Sequence, residues 1–170
     1  MDCIYHYDSP LGGITLAADG DSLTGLWFDG QRHFGETLSA DHQESFLPVF
    51  AEAARWLDRY FSGEHPDSIP PLNPRGTPFR RLVWQQLLRI PYGQTMTYGE
   101  LADRLSAQTG RRVSARAVGG AVGHNPVSLM IPCHRVVGAD GSLTGYAGGT
   151  DRKKLLLQME SGMKYTNQGE

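Results

Sequence analysis

The chain has 170 residues, 39% of them apolar and 20% charged, with a formal net charge of −2. This composition suits one ordinary core or two small ones and excludes a collagenous, coiled-coil or disordered chain. Met1 to Tyr7 lacks a basic leader followed by an apolar run, and no window approaches the ~20 residues of a membrane span, so no membrane partner and a cytoplasmic location (nuclear in a eukaryote) are expected.

The two cysteines, Cys3 and Cys133, are too few for a disulfide framework or a four-cysteine zinc site. Cys3 is expected at a loose terminus, and both thiols are expected to be reduced. Ile4 to Tyr7, Ile14 to Ala18 and Leu23 to Phe28 are rich in branched and aromatic residues. Turn signals at Ser9 to Gly13 and Asp19 to Asp21 separate them, which predicts an antiparallel meander. From Ser45, apolar residues recur at Phe46, Val49, Phe50, Ala53, Leu57, Tyr60 and Phe61, a helical period that stops at Ser62-Gly63 and predicts a helix covering the sheet. The proline-rich stretch Pro66 to Pro74 marks a boundary between an N-terminal sheet-plus-helix domain, 1–74, and a C-terminal domain, 75–170. The charge reverses at the same place. Residues 1–74 carry three Arg against twelve acids, a net of −9, whereas residues 75–154 carry twelve Lys or Arg against four acids, a net of +8. A basic half in a chain of small net charge is either an ordinary solvated surface or a phosphate-binding face.

Thr77-Pro78 supplies an N-cap and a first-turn proline for a helix whose stripe is Phe79, Leu82, Val83, Leu87 and Ile90, stopped by Pro91-Tyr92-Gly93. Thr97 and Glu100 form a capping box for a short helix with Leu101, Ala102 and Leu105 inward. After a turn through Thr109-Gly110, Ser114 caps a third helix that runs to about Gly123, so the pair suggests a helix-turn-helix. The stretch Ser106 to Val113 between them is basic, through Arg111 and Arg112, and is expected to add phosphate contacts. The third helix holds Ala115, Arg116, Ala117, Gly119 and Gly120, with glycine where helix propensity disfavours it. Either a neighbouring helix packs closely there or a nucleic-acid groove approaches a smooth surface. A last helix, Asp151 to about Ser161, turns Leu155, Leu156 and Met159 inward. The fold class is therefore α+β, an N-terminal antiparallel sheet with a covering helix followed by a mostly helical domain with a helix-turn-helix.

Asn125 to Ile131 reads as a turn and a short buried strand delivering Cys133. In Pro132-Cys133-His134-Arg135-Val136 a potential thiolate stands beside an imidazole in a rigid apolar segment. A free cysteine is most often a small buried hydrophobe, and a lone histidine is most often satisfied by backbone; the pair is more specific than either member. A thiol with a reference pKa of ~8.5 is mostly protonated at neutral pH, so a base or a positive field is needed. Neighbours on a strand point oppositely, which makes a bridging water the expected link between Cys133 and His134.

Asn125-Pro126, Pro132 to Val136 and Tyr146 to Gly149 resemble the O6-alkylguanine-DNA alkyltransferases, and the resemblance covers roughly residues 78–160 in order and spacing. It implies double-stranded DNA bearing alkylated bases as the partner, bound through the minor groove by a protein acting as a monomer. It also implies irreversible, single-turnover transfer of the alkyl group from guanine O6 to Cys133, with the nucleotide flipped out. The chemistry needs no cofactor, and no metal-ligand set is evident; Cys3 with His6 is too little for the zinc that some relatives bind. By resemblance Glu160 completes a relay with His134, and Asn125 ties the recognition helix to the active-site loop. Tyr98 donates to the base as the alkyl group leaves, and Arg116 fills the space of the rotated nucleotide. Ser114, Ala115, Ala117, Gly119 and Gly120 fall on the same DNA-facing helix. Tyr146 stacks on the extruded base, Met130 lines its pocket, and backbone of Val136, Ala147 and Gly148 surrounds it. Ala147 stands where many relatives have serine, so any bond to O6 from that position comes from backbone. Three other readings compete: an alkyltransferase-like protein that binds lesions without transfer, a cysteine hydrolase, and a helix-turn-helix regulator. The first lacks the nucleophile, the second needs a distant base and an oxyanion hole, and the third leaves Cys133 unexplained.

Overall fold

The computed structural model describes residues 1–162, so the end of the C-terminal segment lies outside the described residues. Three antiparallel strands, β1 (Asp2–Ser9), β2 (Gly12–Asp19) and β3 (Ser22–Phe28), form the expected meander. A fourth strand, β4 (His42–Glu44), pairs parallel to β1, giving the sheet order β3-β2-β1-β4. The sequence concealed β4 because all three of its residues are exposed and none is β-branched, so backbone pairing, with the Glu44 carboxylate 2.9 Å from His6 Nε2, makes the strand without apolar burial. Cys3 departs from the expected loose terminus: it is 6% exposed within β1 and belongs to the core.

The covering helix α1 (Pro48–Phe61) begins later than its apolar period suggested. Pro48 fixes the first helical position and forces Leu47 into extended backbone at φ −122°, ψ 151°, so Phe46 cannot be helical. Phe46 is 56% exposed, with its ring edge-on to Tyr5. Val49, Phe50, Ala53, Trp56, Leu57 and Tyr60 of α1 are buried, several of them against the strands.

The second half is built from α2 (Pro78–Leu87), α3 (Tyr98–Thr109), α4 (Ala115–Gly123) and α5 (Thr150–Glu160), with a short parallel pair of β5 (Met96–Thr97) and β6 (Val136–Val137). The expected caps are present. Thr77 accepts from Arg80 N, Thr97 and Glu100 make a reciprocal capping box, and Ser114 accepts from Ala117 N. Helix α3 closes on Gly110 in the left-handed conformation at φ 70°. Residues 106–109 thus belong to α3, and only Gly110 to Val113 remain as the link to α4, with Arg111 and Arg112 exposed. Trp84 of α2 is 1% exposed and donates its indole N–H to the Ala121 carbonyl at 2.9 Å, which fixes α4 on α2. Among the described residues no helix is long and apolar enough to cross a membrane.

Candidate active site

Cys133 opens a one-turn 3-10 helix, Cys133–Arg135, and not the end of a strand. The strand expected ahead of it is a series of turns, because Leu129 adopts φ 71° and Asn125 captures the chain. The Asn125 side chain accepts from Val127 N at 3.0 Å and donates to the Ile131 carbonyl at 2.8 Å, tying the end of α4 to the segment that carries the thiol. The far side of this loop is pinned to β3, where Leu26 N donates to Pro126 O and Ser128 N donates to Leu26 O. A buried apolar residue held at positive φ is strained by about 1 kcal/mol or more, and these bonds supply the restraint.

The Cys133 residue is 3% exposed, among Ile131, Met130 and Val136. Burial pushes its thiol up, while the Asn125 and Ser128 side chains and the Lys153 ammonium pull the other way. His134 is fully buried, and its Nε2 lies 2.6 Å from Glu160 Oε2. Its Nδ1 is buried with no partner. An imidazole whose Nε2–H is committed to a carboxylate presents Nδ1 as an acceptor, a tautomer that follows from the contacts. Burial lowers the His134 pKa below 6.5 and outweighs the opposing pull of Glu160. Burial acts to raise Glu160, but donors from His134 and Arg135 win and hold it ionised.

Two partners of Glu160 carried no sequence signal. Arg135 donates from Nε to Oε1 at 2.7 Å and from Nη2 to Oε2 at 3.1 Å, and its Nη1 reaches the Ile90 carbonyl. Tyr60, at the end of α1, donates its phenol to Oε2 at 2.6 Å across 100 residues of sequence. As a helical apolar-stripe residue, Tyr60 was legible only as core, which it also is.

A third unforeseen residue is Lys153 of α5. It is buried, its Nζ lies 3.2 Å from the Thr144 carbonyl, and burial lowers its pKa to about 8. The Tyr98 phenol donates to the same carbonyl at 3.0 Å. Gly145 follows at φ 86°, where a Cβ would stand 2.6 Å from the Tyr98 oxygen, so only glycine lets the loop close over this ring. The loop is less bare than its composition suggested. Tyr146 is 5% exposed with its hydroxyl buried and unpartnered, and its ring fills the space a Cβ on Gly148 would need. Ala147 is half-buried and accepts from Arg32 N at 3.1 Å.

On α4, Ser114, Ala115, Arg116, Ala117 and Gly120 are exposed and Gly119 is half-buried. Close packing by a neighbouring helix does not explain the glycines. A Cβ on Gly120 would meet nothing within 4 Å, and one on Gly119 would make ordinary contact with Tyr98 at 3.9 Å. Two glycines in a helix cost about 1 kcal/mol each relative to alanine, with no internal packing return here. Between α4 and the loop lies a cavity of about 190 Å3 lined in part by Gly119, Gly120, Gly145 and Ala147.

Residues 78–162 match the sequence profile of the 6-O-methylguanine DNA methyltransferase DNA binding domain, and residues 4–74 match the ribonuclease-like domain of the same proteins. The methylated-DNA–protein-cysteine methyltransferase of Haemophilus influenzae is 41% identical over 172 residues, covering 99% of this chain and 92% of that protein. That of Mycobacterium bovis is 46% identical over 158 residues, covering 91% and 92%. The crystal structure of Mycobacterium tuberculosis OGT in complex with DNA superposes with a TM-score of 0.82 at 44% identity, covering 95% of this chain and 94% of that one. With a buried cysteine, a carboxylate-held histidine and a bare exposed helix in one fold, and with matches across nearly its whole length, the chain belongs to the 6-O-methylguanine DNA methyltransferase family.

Proposed function

We infer that the protein repairs DNA by moving an alkyl group from guanine O6 to Cys133, once per molecule. The observation that carries this reading is the His134 imidazole, next to Cys133 in the chain, anchored by Glu160 at Nε2 and left with a buried Nδ1 that has no protein partner. The thiol proton passes to Nδ1 through a bridging water, and the thiolate attacks the sp3 carbon next to O6. The S–C bond forms as the C–O6 bond breaks, and the electron pair spreads over O6 and N1 of guanine. A proton delivered to N1 completes the exchange, so that in balance the thiol hydrogen resides on guanine. Tyr98, whose phenol now donates to Thr144, is the candidate donor, and Lys153 favours the thiolate through its positive field. A thioether is a poor leaving group, so the protein is a reagent consumed by the reaction.

Access requires the base to leave the stack. In this reading α4 lies in the minor groove, whose degenerate code suits a scanner of damage, and Arg116 occupies the vacated space. The exposed Gly120 and half-buried Gly119 of α4, which nothing inside the chain requires, support that placement. The flipped guanine stacks on Tyr146, with O6 toward the Ala147 and Gly148 backbone; Met130, expected to line that pocket, is buried and faces a separate cavity lined by Tyr60 and Tyr92. Its amino group meets the carbonyls of Val136 and Cys133; the latter accepts one bond from Val136 N and keeps a second lone pair. We place the reaction in the compartment holding the DNA, the cytoplasm or a nucleus, with the protein acting as a monomer.

The test is the intact and peptide mass after mixing with duplex DNA carrying one O6-methylguanine, beside unmodified DNA and the Cys133→Ala variant. The expected result is a single methyl on Cys133. Lesion-dependent binding with no mass change would replace transfer by recognition alone.

A further inference from the structure

Outside the active site, the described residues bring one cluster of metal-ligating side chains together. His33 and Glu36, in the loop after β3, meet His124 at the end of α4, and one ligand atom from each lies within 4.8 Å of the others. His33 Nδ1 is 3.0 Å from Glu36 Oε2 and His124 Nδ1 is 2.8 Å from Oε1. The two imidazoles therefore flank a single carboxylate, their ring centroids 3.9 Å apart. His33 holds this position at φ 58°, a conformation that few side-chain-bearing residues adopt.

We propose that His33, Glu36 and His124 form a binding site for a divalent transition metal, zinc the best suited, that staples the loop after β3 to the end of α4. Two imidazole nitrogens and a carboxylate oxygen are a zinc-type donor set, three protein ligands with a fourth position open to water. Tetrahedral bonds of about 2.0–2.1 Å place ligand atoms about 3.3 Å apart, so small side-chain rotations that open the two imidazole–carboxylate contacts slightly reach that spacing. The proton balance is simple. A neutral imidazole donating Nδ1–H to Glu36 moves that proton to Nε2 when Nδ1 takes the metal, and an imidazolium releases one proton. Glu36 brings the negative charge: burial acts to raise it, but the two histidines and Arg80 hold it low. Arg80 Nη1, 3.9 Å from Glu36 Oε1, competes with a cation, and being one-third exposed it can turn to solvent.

The location gives the staple a consequence. The cavity between α4 and the loop carrying Tyr146 is lined by His33 and His124 as well as by Arg32, Gly123 and Gly145. Arg32, next to His33, already holds Ala147 through its backbone N–H, and His124 directly precedes Asn125. A metal here stiffens the end of α4 and the loop over the thiol together without touching the reacting atoms.

The probe is Zn2+ alone, titrated into the wild-type protein against a chromophoric chelator, with Co2+ as the spectroscopic substitute. One equivalent is expected to bind at micromolar concentration, and the Co2+ form is expected to show tetrahedral d–d bands without a thiolate charge-transfer band. His124→Ala and Glu36→Gln should each weaken binding by about tenfold or more, while Cys133→Ala leaves it unchanged. Two substitutions from different segments guard against a variant that misfolds, and circular dichroism checks each. Absence of saturable binding to the wild type, undiminished binding by both variants, or loss of binding with Cys133→Ala would each overturn the site.

Discussion

At the scale of single residues, the reactivity of Cys133 near neutral pH depends on two opposed shifts. Burial raises the thiol, so the free thiolate is scarce, and burial lowers His134, so the neutral imidazole persists below pH 6.5. When the proton moves from one to the other inside the site, the rate is independent of pH between the two values. It falls only when the medium protonates His134 first. The second-order rate of methyl transfer, followed by rapid quench, is therefore expected to stay flat from about pH 8, below which Lys153 keeps its charge, down to 6.5 and to decline only below that. His134→Gln should reduce the plateau by about a hundredfold or more and make the remaining rate climb with pH through the thiol's own ionisation. A wild-type rate that already rises steeply with pH across neutrality would show that the thiolate forms by release to solvent and not by transfer to His134. The Cys-His pair was legible in the sequence because the two residues are adjacent. Lys153 was not, because a lysine in a polar helix gives no sign of being buried against a carbonyl.

At the scale of elements, α4 in the proposed reading separates what folding requires from what recognition requires. Its anchor is Trp84 on Ala121, with Val118, Ala121 and Val122 buried, and its opposite face is bare. Since a Cβ on Gly120 meets nothing, Gly120→Leu is expected to keep or raise stability, by up to about 1 kcal/mol from helix propensity. The same change should weaken binding to duplex DNA by about tenfold or more, because a branched side chain would hold the backbone off the groove. Thermal unfolding and fluorescence anisotropy read the two effects separately, and an unaltered DNA affinity would move the interface to another face. The caps of α2, α3 and α4 were legible in sequence because capping is local: Thr77, Thr97 and Ser114 each bond a backbone N–H three residues on. The turns before Cys133 were not, since their shape is imposed by β3 from outside the segment and by Asn125 bridging its two ends. The start of α1 was misplaced for a local reason, a hydrophobic period having no means of reporting where Pro48 sets the first helical position.

At the scale of the whole molecule, the acidic first half and basic second half meet at an ion pair that takes one member from each. Asp2 at the start of β1 takes two bonds from Arg75, at 2.7 and 2.8 Å, and a third from Ser39 N at 2.9 Å. Arg75 follows the proline-rich stretch and also reaches the Thr37 carbonyl, so one guanidinium joins the first strand, the β3–β4 loop and the entry to α2. With Tyr60 on Glu160 and β3 on the active-site loop, it couples the sheet to the chemistry through side chains as well as backbone. The bond to Arg75 lowers Asp2, against burial, from 3.8 to about 2. A carboxylate depressed on folding contributes stability in full above its unfolded value and loses it as acid titrates the folded form. That contribution is therefore present above about pH 4 and disappears as pH falls toward 2. Because Arg75 is one-third exposed, its attraction is partly screened, and the loss for Asp2→Asn at neutral pH is expected to be about 1–2 kcal/mol. Urea unfolding across that range should show the wild type and Asp2→Asn converging as the acid limit is approached. Curves separated by a constant gap at every pH would mean that Asp2 acts through packing and its uncharged hydrogen bonds, leaving the charge reversal along the chain without a role in holding its two halves together.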